Sequence, residues 1–127
     1  IFDFDSFISR WESNDIFKYQ KERNFSEWKI QRHVRLSHNK ENLSEALSAF
    51  GVGSVNYLYN EFVNIKAPIT IITGSEDIKY TNISSDMAQL NSMAHHAIIN
   101  NCSHNTHLEN SSAFIKELNN HFSRICK

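Results

Sequence analysis

Glycine and proline are nearly missing from this chain, with three Gly and one Pro in 127 residues. So few turn formers argue against an all-β, turn-dense protein. Cysteine is also sparse. Cys102 and Cys126 have no C-x-x-C spacing and suggest no disulfide scaffold, so a reducing, cytoplasmic setting is expected. Neither sign of charge dominates: 13 basic side chains stand against 14 acidic ones. No nucleic-acid or anionic-membrane footprint follows, and neither partner is expected. No apolar run approaches the roughly 18 residues of a membrane span. A signal peptide is missing too, because Ile1-Phe2-Asp3-Phe4-Asp5 has no basic leader. The chain has no initiator Met and starts inside an amphipathic pattern, which reads as a truncated or cleaved product. It contains no internal repeat and no low-complexity tract.

What is present suffices for one domain-sized core, since 40% of residues are apolar. The first half reads as helices. Phe4, Phe7, Ile8 and Trp11 recur at helical spacing over residues 2–13. Ile16, Phe17 and Tyr19 form a short apolar segment behind Asp15, a candidate N-cap. A third helix is expected from Ser26 through Trp28, Ile30, Val34 and Leu36, and a fourth from about Glu41 to Phe50, stopped by Gly51. Val55 to Phe62 reads as one more short helix. Past Pro68 the pattern changes. Ile69 to Thr73 is a β-branched run without helical period, the signature of a strand buried on both faces. Helical spacing returns over Ile83, Met87 and Leu90, His95 to Ile99 is a second strand, and Phe114, Ile115, Leu118 and Phe122 mark a last helix ending near Arg124. The order is several helices, then β-α-β-α. It divides the chain into a helical portion, residues 1–66, and a parallel-sheet portion, residues 67–127. Two strands do not make a stable sheet alone, so the sheet is expected to be incomplete.

In open α/β sheets, ligands and catalytic groups lie beyond the carboxyl ends of the strands. Asp77 follows the first strand and His104 the second. A catalytic histidine needs a carboxylate on its second nitrogen, to fix the tautomer and stabilise the imidazolium. On position alone both also read as ordinary loop residues. Cys102, His104 and His107 resemble zinc ligands in type, but a fourth ligand and paired spacing are lacking, and no metal is expected. His95-His96 reads as a surface pair. His107 and Glu109 are expected to order the His104 loop and cap the last helix.

Gly74-x-x-Asp77 after a Pro68-led strand, followed by Ser103-His104-x-x-His107-x-Glu109, resembles the C-terminal part of the α/β-hydrolase superfamily. Further segments resemble one branch of it, the menaquinone-pathway synthases that form 2-succinyl-6-hydroxy-2,4-cyclohexadiene-1-carboxylate. These segments are Trp11-Glu12…Ile16-Phe17…Gln20, Arg32-x-x-Arg35-Leu36-Ser37-His38-Asn39, Phe50-Gly51-Val52-Gly53-Ser54, Gly74 to Tyr80 and His104 to Asn110. The resemblance runs in order through nearly the whole chain.

It implies a Ser-His-Asp triad in which Asp77 is the acid and His104 the base, and the elimination of pyruvate without metal or organic cofactor. It further implies a small-molecule polycarboxylate substrate gripped by lid arginines, Arg35 first and Arg32 second, with Trp11 packed over its ring. The arginines also read as a solvated helix face, and Trp11 as a packing residue. Four positions depart from the family pattern: Ser103 replaces a Gly, Asp15 a Pro, Ser48 an Arg and Tyr57 a Trp. Ser103 is tolerable only if its φ is negative. No Gly-x-Ser-x-Gly exists, so the nucleophile is absent, and Ser103, adjacent to His104 in sequence, cannot replace it. This chain alone is therefore expected to be inactive. An ester or C–C bond hydrolase, or a non-catalytic hydrolase-like interaction domain, are the alternatives. An exposed sheet edge invites self-association.

Overall fold

The computed structural model describes residues 3–126. Five helices come first: α1 (Phe4–Glu12), α2 (Lys18–Arg23), α3 (Phe25–Leu36), α4 (Lys40–Phe50) and α5 (Tyr59–Asn64). Then follow β1 (Ile69–Gly74), α6 (Ile78–Leu90), β2 (Ala94–Ile99), α7 (Thr106–Glu109) and α8 (Ser111–Ile125). The predicted start of the first helix at residue 2 lies outside the described residues.

Short polar side chains set the helix starts. Asn24, Asn39, Asp77 and Asn110 each accept a backbone N–H three residues on, at the heads of α3, α4, α6 and α8. Three expectations shift accordingly. The third helix is capped by Asn24, ahead of the predicted start at Ser26. Asp15 opens a single 3₁₀ turn, Asp15–Phe17, that leads into α2. Asn110, and not Glu109, caps α8. Residues 55–58 stay outside the short helix predicted there, which runs Tyr59–Asn64. Gly51 ends α4 without a positive φ; its backbone instead passes so close to the Leu47 carbonyl that a Cβ would meet it at under 3.0 Å.

β1 and β2 pair in parallel, with Ile69 opposite Ala94 and Gly74 opposite Ile99. Because strand side chains alternate, Thr70 and Thr73 point to opposite faces. Thr73 meets Thr81 of α6, Oγ1 to Oγ1 3.0 Å, while Thr70 meets His121 and Arg124 of α8. One helix thus covers each face, the crossover helix α6 on one and the last helix α8 on the other, as parallel pairing requires. Burial along β1 is graded. Ile69 to Ile72 are half-buried and only Thr73 and Gly74 are fully enclosed, so the expectation of a strand buried on both faces holds at its carboxyl end alone. The second strand begins at Ala94. His96 is half-buried there and hydrogen-bonded to Thr73 Oγ1 at 2.7 Å, so only His95 of that pair is a surface residue.

A second packing centre lies among the helices, where Ile8, Phe17 and Gln20 are buried and the Trp11 and Phe17 rings sit 4.3 Å apart. Hydrogen bonds join the halves. Asn91 donates to the Phe62 and Ile65 carbonyls, and the buried Ser103 hydroxyl donates to the Ile16 carbonyl at 3.3 Å.

Candidate active site

The ends of β1 and β2 are laced together residue by residue. Ser75 N donates to Ile99 O and Glu76 N to Cys102 O, both at 2.9 Å, and Asn101 N donates to Ser75 Oγ at 3.0 Å. Gly74 makes this possible, because any Cβ there would lie under 3.0 Å from the Cys102 and Ser103 carbonyl oxygens. Asn101, in the turn after β2, has φ 56° and is the non-glycine residue with positive φ among the described residues. The Ser103 φ is therefore not positive, and serine fits where the resemblance expects glycine.

The lacing brings Asp77 and His104, 27 residues apart, to a 2.6 Å hydrogen bond between Asp77 Oδ2 and His104 Nδ1. Asp77 Oδ1 accepts the Tyr80 backbone N–H at 3.3 Å, so both carboxylate oxygens are engaged. The Tyr80 ring lies 4.8 Å from the His104 ring, tilted by 52°. An ionised carboxylate only accepts, so Nδ1 carries the hydrogen and Nε2 of the neutral ring presents its lone pair. The Asp77 side chain is almost enclosed, at 9% exposure, while His104 is one-third exposed. A shielded carboxylate on Nδ1 of a reachable imidazole is the geometry that a catalytic acid–base pair requires.

The His104 loop has its own supports. Glu109, its side chain 1% exposed, accepts the Ser103 N–H at 2.9 Å, the ordering role expected of it. His107 packs on Phe114 and Cys102 is fully buried. His104 and His107 thus face different partners, Asp77 and Phe114, and Cys102 is enclosed. Burial, and then the Glu109 charge, push the Cys102 thiol up, which keeps it protonated and unreactive. Ser103 Oγ is committed to the Ile16 carbonyl and accepts the His104 backbone N–H.

The arginines and Trp11 come together elsewhere, on α1 and α3. Glu12, its side chain 6% exposed, accepts from Arg35 at 2.8 Å and from Arg32. Arg32 also reaches Asp5 and Ser9, and Arg35 reaches Gln20 at a long 3.4 Å. The Arg35 guanidinium sits over the Trp11 ring at 5.2 Å, and both line a cavity of about 180 Å³ with Leu43 and Leu47. Ser48 bonds back to Ser44 O within α4 and borders a neighbouring cavity of about 420 Å³. Tyr57 is exposed and stacked on Tyr59.

Sequence reasoning missed Arg23. Its guanidinium donates to Glu76 at 2.5 Å and to the Asn101 carbonyl at 2.7 Å, and stands 3.7 Å from Glu109. The Glu76 hydrogen bond raises its pKa above the ordinary value against the opposing effect of burial, with the Glu76 and Glu109 charges adding to the rise. Its partners lie 53 and 78 residues away in the chain, so no local spacing marks it.

Comparison with known proteins follows the same outline. No family profile matches the chain. It is 26% identical over 112 residues to a Bacillus subtilis (strain 168) protein provisionally named 2-succinyl-6-hydroxy-2,4-cyclohexadiene-1-carboxylate synthase, a match covering 88% of this chain and 41% of that protein. Its fold superposes on the structure of MenH from S. aureus with a TM-score of 0.93 and 26% identity, over 98% of this chain and 47% of MenH. The chain thus spans less than half the length of the relatives it matches.

Proposed function

We propose, from the premise that this chain folds as the C-terminal part of an α/β-hydrolase, that it supplies the acid, the base and the lid of a lyase that eliminates pyruvate to form 2-succinyl-6-hydroxy-2,4-cyclohexadiene-1-carboxylate. The observation that carries the reading is the 2.6 Å Asp77–His104 hydrogen bond at the carboxyl ends of two parallel strands. The nucleophilic serine comes from sequence outside these 127 residues. His104 Nε2 takes the serine proton, Asp77 stabilises the imidazolium that forms, and the serine oxygen removes a proton from the succinyl-bearing cyclohexene substrate as pyruvate leaves as its enolate; the imidazolium gives its proton to that enolate, restoring the neutral histidine. No metal or organic cofactor enters the scheme. Arg35 is the first choice for a substrate carboxylate. Its second Nη is held only by the long bond to Gln20, and it shares an apolar cavity with Trp11, which would pack on the ring. Arg32 is the second choice.

One observation favours a rival reading, an ester or C–C bond hydrolase of the same fold. Both candidate arginines are already paired with Glu12, as a lid without a carboxylate ligand would have them. The test is an assay of the protein joined to its serine-bearing part, comparing pyruvate release with hydrolysis of p-nitrophenyl esters. Dominant pyruvate release that falls about 10³-fold or more in Asp77→Asn supports the lyase. Dominant ester hydrolysis supports the rival. The 127 residues alone are expected to catalyse neither, and turnover by the purified chain would overturn the assignment of the missing serine.

A further inference from the structure

Arg23 sits at the end of α2, outside every motif that the resemblance carries, yet it touches both loops of the acid–base pair. On the acid side it holds Glu76, the residue before Asp77, through the 2.5 Å ion pair. On the base side it holds the Asn101 carbonyl, at the left-handed turn that leads to His104, at 2.7 Å. It is also the cation beside Glu109, whose buried carboxylate takes the Ser103 N–H next to His104. The Tyr19 ring, 4.4 Å from the guanidinium, backs it from its own helix.

We propose that Arg23 is a positioning residue for the Asp77–His104 pair, a fork that pins the acid loop and the base loop to each other from the lid. The two hydrogen-bonding arms leave different nitrogens, Nη2 to Glu76 and Nη1 to Asn101, an arrangement a planar guanidinium offers and a single ammonium does not. Glu109 makes the fork consequential. A carboxylate with 1% exposure needs a nearby cation, and without Arg23 its grip on the Ser103 N–H is set against an uncompensated buried charge. Arg23 does not touch His104 or Asp77, so its effect reaches them through the two loops. The proposal rests on the acid–base reading of the pair and adds a reason why the lid and the sheet ends must stay docked.

The test is the Nδ1 proton of His104, read by NMR on the ¹⁵N-histidine-labelled 127-residue protein and assigned by its disappearance in Asp77→Asn. A proton held by a carboxylate resonates far downfield and exchanges slowly with water. In Arg23→Gln that proton is expected to exchange at least about ten-fold faster while the far-UV circular dichroism stays that of the wild type. Unchanged exchange in the folded variant would overturn the positioning role and leave the acid–base pair standing. Absence of the downfield proton in the wild type would overturn the pair and the proposal together. Should Arg23→Gln fail to fold, Glu76→Gln removes the same ion pair from the other side. Faster exchange there supports the proposal and wild-type exchange defeats it.

Discussion

The backbone of Gly74 runs so close to that of Cys102 that a methyl group on Gly74 would meet the Cys102 carbonyl oxygen at less than 3.0 Å. That oxygen is itself held by the Glu76 N–H at 2.9 Å, and the neighbouring Ser103 carbonyl would be struck as well. Neither can retreat without parting the loops that carry Asp77 and His104. Gly74→Ala is therefore expected to lower the unfolding free energy by about 3 kcal/mol, the upper end of ordinary overpacking costs. Urea denaturation measures it, and a loss below about 1 kcal/mol would show that the loops can give way.

Glu12 presents the reverse situation, a nearly enclosed carboxylate between two cations. Glu12→Gln leaves both guanidinium groups facing a neutral amide and should cost about 2–3 kcal/mol, reduced from a fully buried pair because Arg32 and Arg35 remain partly solvated. Arg32→Ala should cost less, about 1 kcal/mol, since Arg35 still neutralises Glu12. Midpoint shifts at constant m-value are the measurement, and equal losses for the two variants would contradict the shared-carboxylate arrangement.

His96 makes stability depend on pH. Burial, with the neighbouring His95 adding to it, pushes its pKa below the ordinary value near 6.5. Above that value the ring is neutral in both folded and unfolded chains and adds no pH dependence. As the pH falls through about 6.5 the unfolded chain takes up a proton that the folded one resists, so stability declines toward acid. His96→Gln is expected to flatten this decline between pH 7 and 5.5. An unaltered slope, measured as the urea midpoint against pH, would rule out His96 as its source.

Among the described residues the sheet consists of β1 and β2 alone, so each strand presents one edge with no strand beside it. Open edges are templates for pairing. The 127-residue chain is expected to self-associate through them, with dimers growing with concentration in sedimentation velocity. A clean monomer at high concentration would count against it.

The strands, the crossover helix between them and the last helix were legible because their signals are local. β-branched runs, a 3.6-residue period and residues that accept the next turn's N–H all act within a few positions. The Asp77–His104 pair was legible for a related reason, since each residue follows a recognisable strand end. Tyr80 against His104 and the half-buried His96 were not, because both depend on which face a neighbouring element covers. The arginines show the limit most plainly. The resemblance implies that Arg32 and Arg35 grip a substrate; that Glu12 on α1 pairs with both is a contact that no local spacing records.

The amino-acid order by itself determined most of the element sequence, the short α7 excepted, and the positions of Asp77 and His104 beyond two strand ends, because those follow from periodicity, capping and strand-end grammar. Only the tertiary structure decided that Asp77 and His104 meet at 2.6 Å, that Gly74 must stay bare for them to do so, and that Arg23 spans their loops. Such contacts join residues tens of positions apart. They arise when packing brings separate elements to hydrogen-bonding range, and no local pattern of side chains records that distance.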